Sequence, residues 1–371
     1  MKKIIVSVIN DLVTDQRVHR VCSSLHEMGF EVLLVGRSLP TSKNIEPRLY
    51  KTKRFKLLFN KGFLFYLNFN IRLFFFLIFT NSDILLANDA DTLLANTLAS
   101  KFKRKPMIFD SHEYFTGVPE LNGRNFVKSI WEKVEQFGIK NAQICYTVNS
   151  SIANLYKKDY NVNFCIVRNV PLKMTPVKGI IPAEIGIIGN EKIIIYQGAV
   201  NKDRGIEEVV EALKYVKSNV KLVIAGIGDI FEDIRKYVKE NSLDDKVVFL
   251  GQLPFSELSR YTAIADIGLS IEKPTNINYI FSLPNKFFDY IQCGIPVLTS
   301  GMIEVKKIME KHDIGVIINS HDPRHIAEKI DFMLSDKMQM LRWKENLQHA
   351  ADEYCWENEK RNLIELMQAY V

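Results

Sequence analysis

The 371-residue chain is poor in cysteine and lacks the spacings that cysteine-based sites need. Its five cysteines, at positions 22, 145, 165, 293 and 355, are scattered and form no paired motif. This distribution argues against a disulfide scaffold and against a cysteine-ligated metal, and it is typical of a reducing compartment. We therefore expect a cytoplasmic protein. Separately, we expect that it needs neither a metal ion nor a cofactor.

The sequence also lacks internal repeats and low-complexity tracts. The apolar run Ile4 to Ile9 is too short for the core of a signal peptide and predicts a buried first strand. No Gly-x-Gly-x-x-Gly occurs, which argues against a dinucleotide-dependent oxidoreductase. The remaining composition, with 47% hydrophobic and 25% charged residues, is typical of a globular chain of about two domains.

Acidic residues are scarce in the first half only. Residues 1–172 contain 24 basic and 14 acidic side chains, whereas residues 173–371 contain 25 basic and 29 acidic ones. The excess of basic charge predicts an anionic partner for the first half. Membrane lipid, a phosphate-bearing acceptor and nucleic acid are all anionic partners of this kind. Of these three, we do not expect nucleic acid.

Short apolar segments alternate with helical periodicity along the chain, and this pattern occurs twice. The predicted strands are Ile4–Ile9, Glu31–Val35, Ile84–Ala87, Met107–Phe109 and Ile144–Val148, then Ile193–Tyr196, Lys221–Ala225 and 246–250. The alternation predicts an α/β fold with two doubly wound parallel sheets and a ligand cleft between the domains. We place the domains at 1–172 and 173–355, with a proline-rich linker over 171–191 and a terminal helix, 356–371, returning to the first domain.

The segment 282–296, SLPNKFFDYIQCGIP, combines a polar turn with a short apolar helix that stops at Gly294. Free N–H groups at a helix start, the positive end of the helix dipole and Lys286 together suit a diphosphate. Asp289, one turn later, could accept hydrogen bonds from ribose. The structural alternative is a helix capped by Ser282 with Asp289 in solvent.

This segment resembles the nucleotide-sugar segment of retaining glycosyltransferases of family four, which have the GT-B fold. The resemblance places Asp289 at the second Glu of the family's Glu-x7-Glu motif and Phe281 at the first. A branch of the family carries a Ser-Leu-Pro-Asn-Lys loop instead, as here. The resemblance implies donor binding by Ser282, Leu283, Pro284 and Asn285.

The loop 197–205, QGAVNKDRG, resembles the family's phosphate-binding run. Arg204 matches its phosphate-binding Lys, Gly198 permits close backbone approach, and Lys202 compensates for a cation replaced by Ala199. Gly226 and Gly228 form a Gly-x-Gly turn that resembles the family's turn near the donor base. A solvated turn and a tight strand-to-helix turn are the structural alternatives for these two loops.

In the first half, Asp110-Ser111-His112-Glu113 resembles the family's active-site loop, which implies that His112 contacts the donor sugar or its phosphate. Glu113 would orient His112 or bind the acceptor. Asp89 and Asp91 follow another strand, and we favour helix capping for them over acceptor binding. In the first loop, Asp15 and Arg17 either bind the acceptor or pair with each other at the surface.

Residues 63–79, FLFYLNFNIRLFFFLIF, form an apolar run interrupted by two Asn and one Arg. With the basic residues from Lys51 to Lys61, it is typical of a helix lying at the surface of an anionic membrane. A buried crossover helix is an equal alternative, and a mixed case would pack one face and expose the other. We therefore expect peripheral membrane contact through residues 51–79 as one of these outcomes.

Taken together, the resemblance implies a retaining glycosyltransferase that moves a sugar, most simply from a UDP-sugar, to a glycan or lipid-linked acceptor in cell-surface polysaccharide synthesis. Arg204, Lys286, Asp289 and His112 would form its catalytic group, without a metal. The alternatives are a GT-B nucleotide-sugar 2-epimerase and a non-enzymatic membrane-binding protein. An epimerase would turn over the donor without acceptor, and a binding protein would bind no nucleotide.

Overall fold

The computed structural model describes residues 1–13, 15–118, 121, 123–175 and 177–371. Thr14 of the first loop and Pro176 of the predicted linker lie outside the described residues. The chain divides into two compact units, which we call unit 1 (Met1–Asn169 with Glu359–Val371) and unit 2 (Val170–Asn358). The sequence places these divisions at 172/173 and 355/356, within a few residues of those in the structure.

Unit 1 contains a parallel sheet with the strand order β3-β2-β1-β4-β5-β6-β7. Its strands are β1 (Lys3–Asp11), β2 (Glu31–Ser38), β3 (Lys51–Lys56), β4 (Ile84–Asn88), β5 (Met107–Ser111), β6 (Ile144–Thr147) and β7 (Cys165–Ile166). Its helices are α1 (Gln16–Glu27), α2 (Gly62–Phe79), α3 (Asp89–Lys103), α4 (Asn125–Asn141) and α5 (Ser150–Tyr160). Strands β4 and β5 are buried throughout, as helix-covered parallel strands are.

The strand β3 is an element that the sequence pattern did not predict. Its sequence, KTKRFK, carries four basic residues and one apolar side chain, so it has no apolar alternation to identify it. It forms the edge of the sheet, where charged side chains remain in solvent and discourage pairing with another chain.

Unit 2 contains a second parallel sheet with the order β10-β9-β8-β11-β12-β13. Its strands are β8 (Lys192–Gln197), β9 (Val220–Ala225), β10 (Val247–Gly251), β11 (Ile267–Ser270), β12 (Val297–Ser300) and β13 (Gly315–Ile318). Its helices are α6 (Ile206–Ala212), α7 (Phe231–Glu240), α8 (Phe255–Thr262), α9 (Ile277–Ile280), α10 (Asn285–Gln292), α11 (Ile303–His312), α12 (Pro323–Ser335) and α13 (Lys337–Glu353). The second boundary between the units falls within the last helix, α14 (Trp356–Met367). The two parallel sheets confirm the predicted α/β fold class.

Both sheets have a switch point, where successive connections lead to opposite sides of the first strand. It lies between β1 and β4 in unit 1 and between β8 and β11 in unit 2. Ligands of open α/β sheets bind beyond the carboxyl ends of the strands at such points. The loops after these strands are therefore the places to look for functional side chains.

Two glycine turns meet at the carboxyl ends of β8 and β9. A Cβ atom built on Gly226 would lie 1.8 Å from the carbonyl oxygen of Gly198. A Cβ on Gly228 would lie 2.2 Å from Oδ1 of Asn201 in the same loop as Gly198. Glycine is therefore required here by the close approach of two backbone segments.

We predict that Gly226→Ala lowers the free energy of unfolding by about 3 kcal/mol or more, because the new methyl group meets an immobile carbonyl. Gly186→Ala is the control, since nothing lies within 4 Å of its Cβ and only its φ of 79° is unfavourable. That change should cost about 1 kcal/mol. Urea unfolding of both variants measures the difference. If both lose the same free energy of unfolding, the two loops can move apart at little cost and the prediction is wrong.

Candidate active site

The switch point of unit 2 brings together two of the predicted donor-site segments. Gln197, the last residue of β8, is buried, and its Nε2 donates to Oδ2 of Asp289 at 2.9 Å. Its Oε1 accepts from the hydroxyl of Thr262 at 2.7 Å, which fixes the orientation of the amide. Asp289 on α10 is thereby held at the end of β8, where the loop with Gly198 begins.

A buried ionic cluster lies beside these residues. Glu272, two residues after β11, has a side chain that is only 1% exposed. Its Oε1 lies 2.9 Å from Nζ of Lys286 and 3.6 Å from a guanidinium nitrogen of Arg204. An aromatic ring covers each of the two cations. Nζ of Lys286 lies 4.1 Å from the ring centroid of Tyr196, and Cζ of Arg204 lies 4.7 Å from the ring centroid of Tyr279.

The cluster keeps its members charged. Burial alone would lower the pKa of Lys286, but the carboxylate of Glu272 raises it above its ordinary value. Burial alone would raise the pKa of Glu272, but Lys286 and Arg204 lower it. Two cations therefore share one carboxylate, and Nε of Arg204 has no hydrogen-bond partner among the described residues. The local excess of positive charge and donors suits an anion.

The other predicted donor residues with side chains in this part of unit 2 are half-buried or exposed. The hydroxyl of Ser282 donates to the carbonyl of Tyr279 at 2.9 Å, and α10 begins after Pro284 without a side-chain cap. Capping by Ser282, the structural alternative, is therefore wrong. Lys202 is exposed, and Leu283 is partly buried. Asn285, the first residue of α10, is exposed.

In unit 1, His112 follows β5 and lies between two carboxylates. Its Nδ1 is 3.1 Å from Oδ2 of Asp89 and its Nε2 is 3.3 Å from Oδ2 of Asp110. Burial alone would lower the pKa of His112, but these two carboxylates raise it well above its ordinary value. The two carboxylates therefore favour the protonated imidazolium, whose two ring nitrogens are directed at them.

Asp110 also binds Arg17, so one carboxylate holds two cations. The guanidinium of Arg17, 3% exposed, donates to Asp110 at 2.7 and 3.2 Å and to the carbonyl of Val167 at 2.9 Å. Burial alone would raise the pKa of Asp110, but Arg17 and His112 lower it to about 2. Pairing of Arg17 with Asp15 at the surface is therefore wrong.

Asp15 after β1 and Asp89 after β4 make other hydrogen bonds than the sequence predicts. Asp15 caps α1 by accepting from the backbone N–H of Val18 at 3.0 Å. Asp89 accepts instead from the backbone N–H of His112 at 2.8 Å, and the N-terminus of α3 has no side-chain cap among the described residues. The preferred capping role of Asp89 and Asp91 is therefore wrong. The side chain of Glu113 is exposed next to this group.

Glu272 and Gln197 are the residues that the sequence analysis missed. Glu272 is a carboxylate just after an apolar strand, the same signal that identified His112 and Asp89, but β11 is not among the strands that the sequence predicted. No local pattern identifies Gln197, because its importance comes from Asp289, which is 92 residues away in the chain. The catalytic, donor-binding and acceptor-binding roles predicted for the site residues stay predictions.

The fold and the sequence matches define the chain as a GT-B glycosyltransferase. Residues 15–171 match Glycosyltransferase Family 4, and residues 177–350 match Glycosyl transferases group 1. The chain belongs to glycosyltransferase family four, and it is a transferase enzyme. The resemblance inferred from the sequence is confirmed.

Curated relatives and solved structures agree with this assignment. The N-acetyl-alpha-D-glucosaminyl L-malate synthase of Bacillus anthracis is 25% identical over 214 residues, 54% of this chain and 53% of that protein. The capsular polysaccharide biosynthesis glycosyltransferase CapM of Staphylococcus aureus is 26% identical over 161 residues, 41% of this chain and 39% of that protein. These matches span about half or less of the relatives' own lengths.

The structure of the Anabaena protein HepE, solved in complex with UDP and glucose, covers 100% of both chains with a TM-score of 0.74. Its sequence identity to this chain is 13%, so the likeness concerns the fold. The two-domain GT-B architecture is thus shared over the full length of this chain.

We predict that Glu272→Gln lowers the free energy of unfolding by about 3 kcal/mol, because two poorly exposed cations lose their carboxylate. Pyrophosphate should recover part of this loss and shift the melting temperature of the variant more than that of the wild type. Glu304→Gln is the control, since Glu304 is similarly buried but its partner Lys307 is 53% exposed, and it should lose less than about 1 kcal/mol. Equal losses in both variants would contradict the central role of Glu272.

Proposed function

We propose that this protein is a retaining glycosyltransferase that uses a UDP-sugar as donor and a glycan or lipid-linked sugar as acceptor. The observation that carries the donor proposal is the pair of cations, Arg204 and Lys286, held at the switch point of unit 2. The HepE structure with UDP and glucose supports the choice of base. The capsular polysaccharide relative supports a role in cell-surface polysaccharide synthesis.

Stabilisation of leaving-group charge is the main task of the site in this proposal. Arg204 and Lys286 face the diphosphate, and the N-terminus of α10 adds backbone N–H groups. Glu272 and the rings of Tyr196 and Tyr279 fix the cations before the donor binds, so little reorganisation is needed. The donor's own phosphate accepts the proton of the acceptor hydroxyl, so no protein base is assigned.

Asp289 binds the ribose hydroxyls in this proposal, and the loop 281–284 contacts the donor sugar. The hydrogen bond from Gln197 leaves the Asp289 carboxylate oriented for this purpose. In unit 1, the loop with His112 and Glu113 binds the acceptor in this proposal. Since the imidazolium is held by Asp89 and Asp110, His112 contributes positive charge rather than proton transfer.

The first experiment is a thermal-shift series with UDP, GDP, CMP and their common sugars. A nucleotide at 100 times its Kd adds about 2.7 kcal/mol of stability, so UDP should raise the melting temperature visibly. Product analysis with and without acceptor separates transfer from 2-epimerisation, because an epimerase converts the donor alone. A shift with another nucleotide, or with none, would overturn the choice of UDP.

We predict that Arg204→Ala and Asp289→Ala each raise the donor KM at least about tenfold, because each removes a charged hydrogen-bonding group worth about 1.5–3 kcal/mol. Arg342→Ala on α13 is the control, since Arg342 is exposed and distant in sequence from the site. Steady-state kinetics at varied UDP-sugar measures the effect. Unchanged donor kinetics in both site variants would refute the assignment of the donor site.

We further propose that unit 1 docks on an anionic membrane through residues 51–79. Helix α2 packs Phe65, Phe69, Leu73 and Leu77 inward. Its opposite face is open, and Phe63, Phe75 and Phe79 are 71%, 53% and 83% exposed. Among the described residues, α2 alone has the length and hydropathy of a membrane-crossing helix.

The apolar surface extends beyond α2, and a basic strand lies next to it. Neighbouring α3 and α4 expose Leu94, Leu98, Phe102, Phe126, Val127 and Ile130. On β3, Phe55 packs on Phe76 of α2, which places the exposed lysines 51, 53 and 56 beside the helix. An apolar face flanked by lysines suits a membrane that contains anionic lipid.

We predict that the triple variant Phe63→Ser, Phe75→Ser, Phe79→Ser weakens binding to anionic vesicles at least about 100-fold, because each buried Phe contributes about 1.5–3 kcal/mol. Vesicle flotation with neutral and anionic lipid measures binding, which should fall with salt. Phe332→Ser in unit 2 is the control, since Phe332 is 52% exposed but outside this surface. Equal flotation of wild type and triple variant would refute the docking surface.

A further inference from the structure

Helix α4 of unit 1 carries a buried glutamate that the proposed mechanism does not use. The side chain of Glu135 is 0% exposed, although most of α4 is exposed or half-buried. Its Oε1 accepts from the hydroxyl of Tyr156 at 3.1 Å, and its Oε2 accepts from the hydroxyl of Tyr160 at 2.8 Å. The hydroxyl of Thr116 is a further hydrogen-bond partner. A carboxyl group in the interior is costly, and here hydroxyl groups satisfy it.

The hydroxyl of Tyr156 connects this carboxyl group to the loop after β5. Besides Glu135, it contacts the hydroxyl of Ser111 at 2.9 Å and the carbonyl oxygen of Glu113 at 3.2 Å. The hydroxyl of Ser111 donates to the same carbonyl at 2.7 Å. Ser111 and Glu113 are the two chain neighbours of His112. The backbone on both sides of His112 is therefore tied to the hydroxyl of Tyr156.

Tyr156 offers one proton to two acceptors. Its ring is 0% exposed and stacks on that of Phe164, with 4.3 Å between the centroids and 7° between the planes. The ring is thus fixed, whereas the hydroxyl hydrogen is free to rotate. It donates either to Oε1 of Glu135 or to the carbonyl oxygen of Glu113, which lie at almost the same distance.

We propose that Glu135 and Tyr156 are positioning residues for His112, and that the charge of Glu135 selects the acceptor of the Tyr156 proton. An ionised carboxylate is the stronger acceptor and draws the proton away from the loop. A neutral carboxyl group is a weaker acceptor, so the proton turns to the carbonyl of Glu113 and adds a hydrogen bond to the loop. This inference rests on the proposed function for the role of His112, and neither positioning residue touches the substrate.

The charge of Glu135 changes near neutral pH. Burial raises its pKa to about 7, and the three hydroxyl groups oppose this shift. The titratable groups around Glu135 and its two tyrosine partners come from α3, α4, α5 and the segment after β5, and they are Asp89, Glu132, Asp159 and Tyr114. Glu135 is therefore mostly protonated at pH 6 and mostly ionised at pH 8. The added hydrogen bond to the loop is present below pH 7 and lost above it.

Amide hydrogen exchange of the loop tests the proposal on the full chain. The amides to follow are those of His112 and Gly117, which are both hydrogen-bonded. After correction for the intrinsic exchange rate, their protection in the wild type should be about threefold or more higher at pH 6 than at pH 8. Glu135→Gln, which is neutral at both pH values, should keep the higher protection throughout. Tyr156→Phe should show the lower protection throughout.

Tyr160→Phe is the matched control. It also removes a hydroxyl that donates to Glu135, but this hydroxyl makes no hydrogen bond to the loop among the described residues. Its protection at pH 6 should equal that of the wild type. Equal losses in Tyr156→Phe and Tyr160→Phe would assign Tyr156 a merely structural role and overturn the inference. Protection in the wild type that does not change between pH 6 and pH 8 would overturn it as well.

UDP thermal shifts separate this inference from the proposed function. The shift should be equal in the wild type and the three variants, because all four proteins retain the residues of unit 2. A wild type without any nucleotide shift overturns the proposed function. A normal UDP shift together with loop exchange that ignores Tyr156 overturns only the positioning role.

Discussion

A buried carboxylate that holds two cations is the interaction on which the candidate site of each unit depends. In unit 1, Asp110 is fully buried and binds Arg17 and His112. In unit 2, Glu272 is 1% exposed and binds Lys286 and Arg204. An isolated charge in the interior would cost several kcal/mol, so each carboxylate requires its cations, and the cations are fixed in return. Both groups lie at carboxyl ends of strands, where the loops are free to vary.

Helix α2 has one face buried in unit 1 and one face exposed to solvent. Its inward row of aromatic and leucine side chains packs on the sheet and its neighbours, and its outward row remains open. Asn70 lies between them and joins the helix to α3 through the carbonyl of Asp91. The polar residues that interrupt the apolar run in the sequence are thus structural links.

Much of the fold was predictable because buried parallel strands appear as short apolar runs between helical periods. Strands β1, β4 and β8 were each identified in this way, and the family resemblance was confirmed. Strand β3 was missed because an edge strand needs little apolar surface and its basic residues resemble a solvated loop. The capping role of Asp89 was predicted wrongly, because local pattern does not include a histidine 23 residues away.

By itself the sequence determined the class of fold, the enzyme family and the loops in which chemistry is to be sought, since periodicity and motif order are local properties. Only the tertiary structure decided which charges meet. Glu272 and Gln197 gain their significance from partners on other strands and helices. The physical reason is burial, because a polar group excluded from water must find partners nearby in space, wherever these lie in the chain.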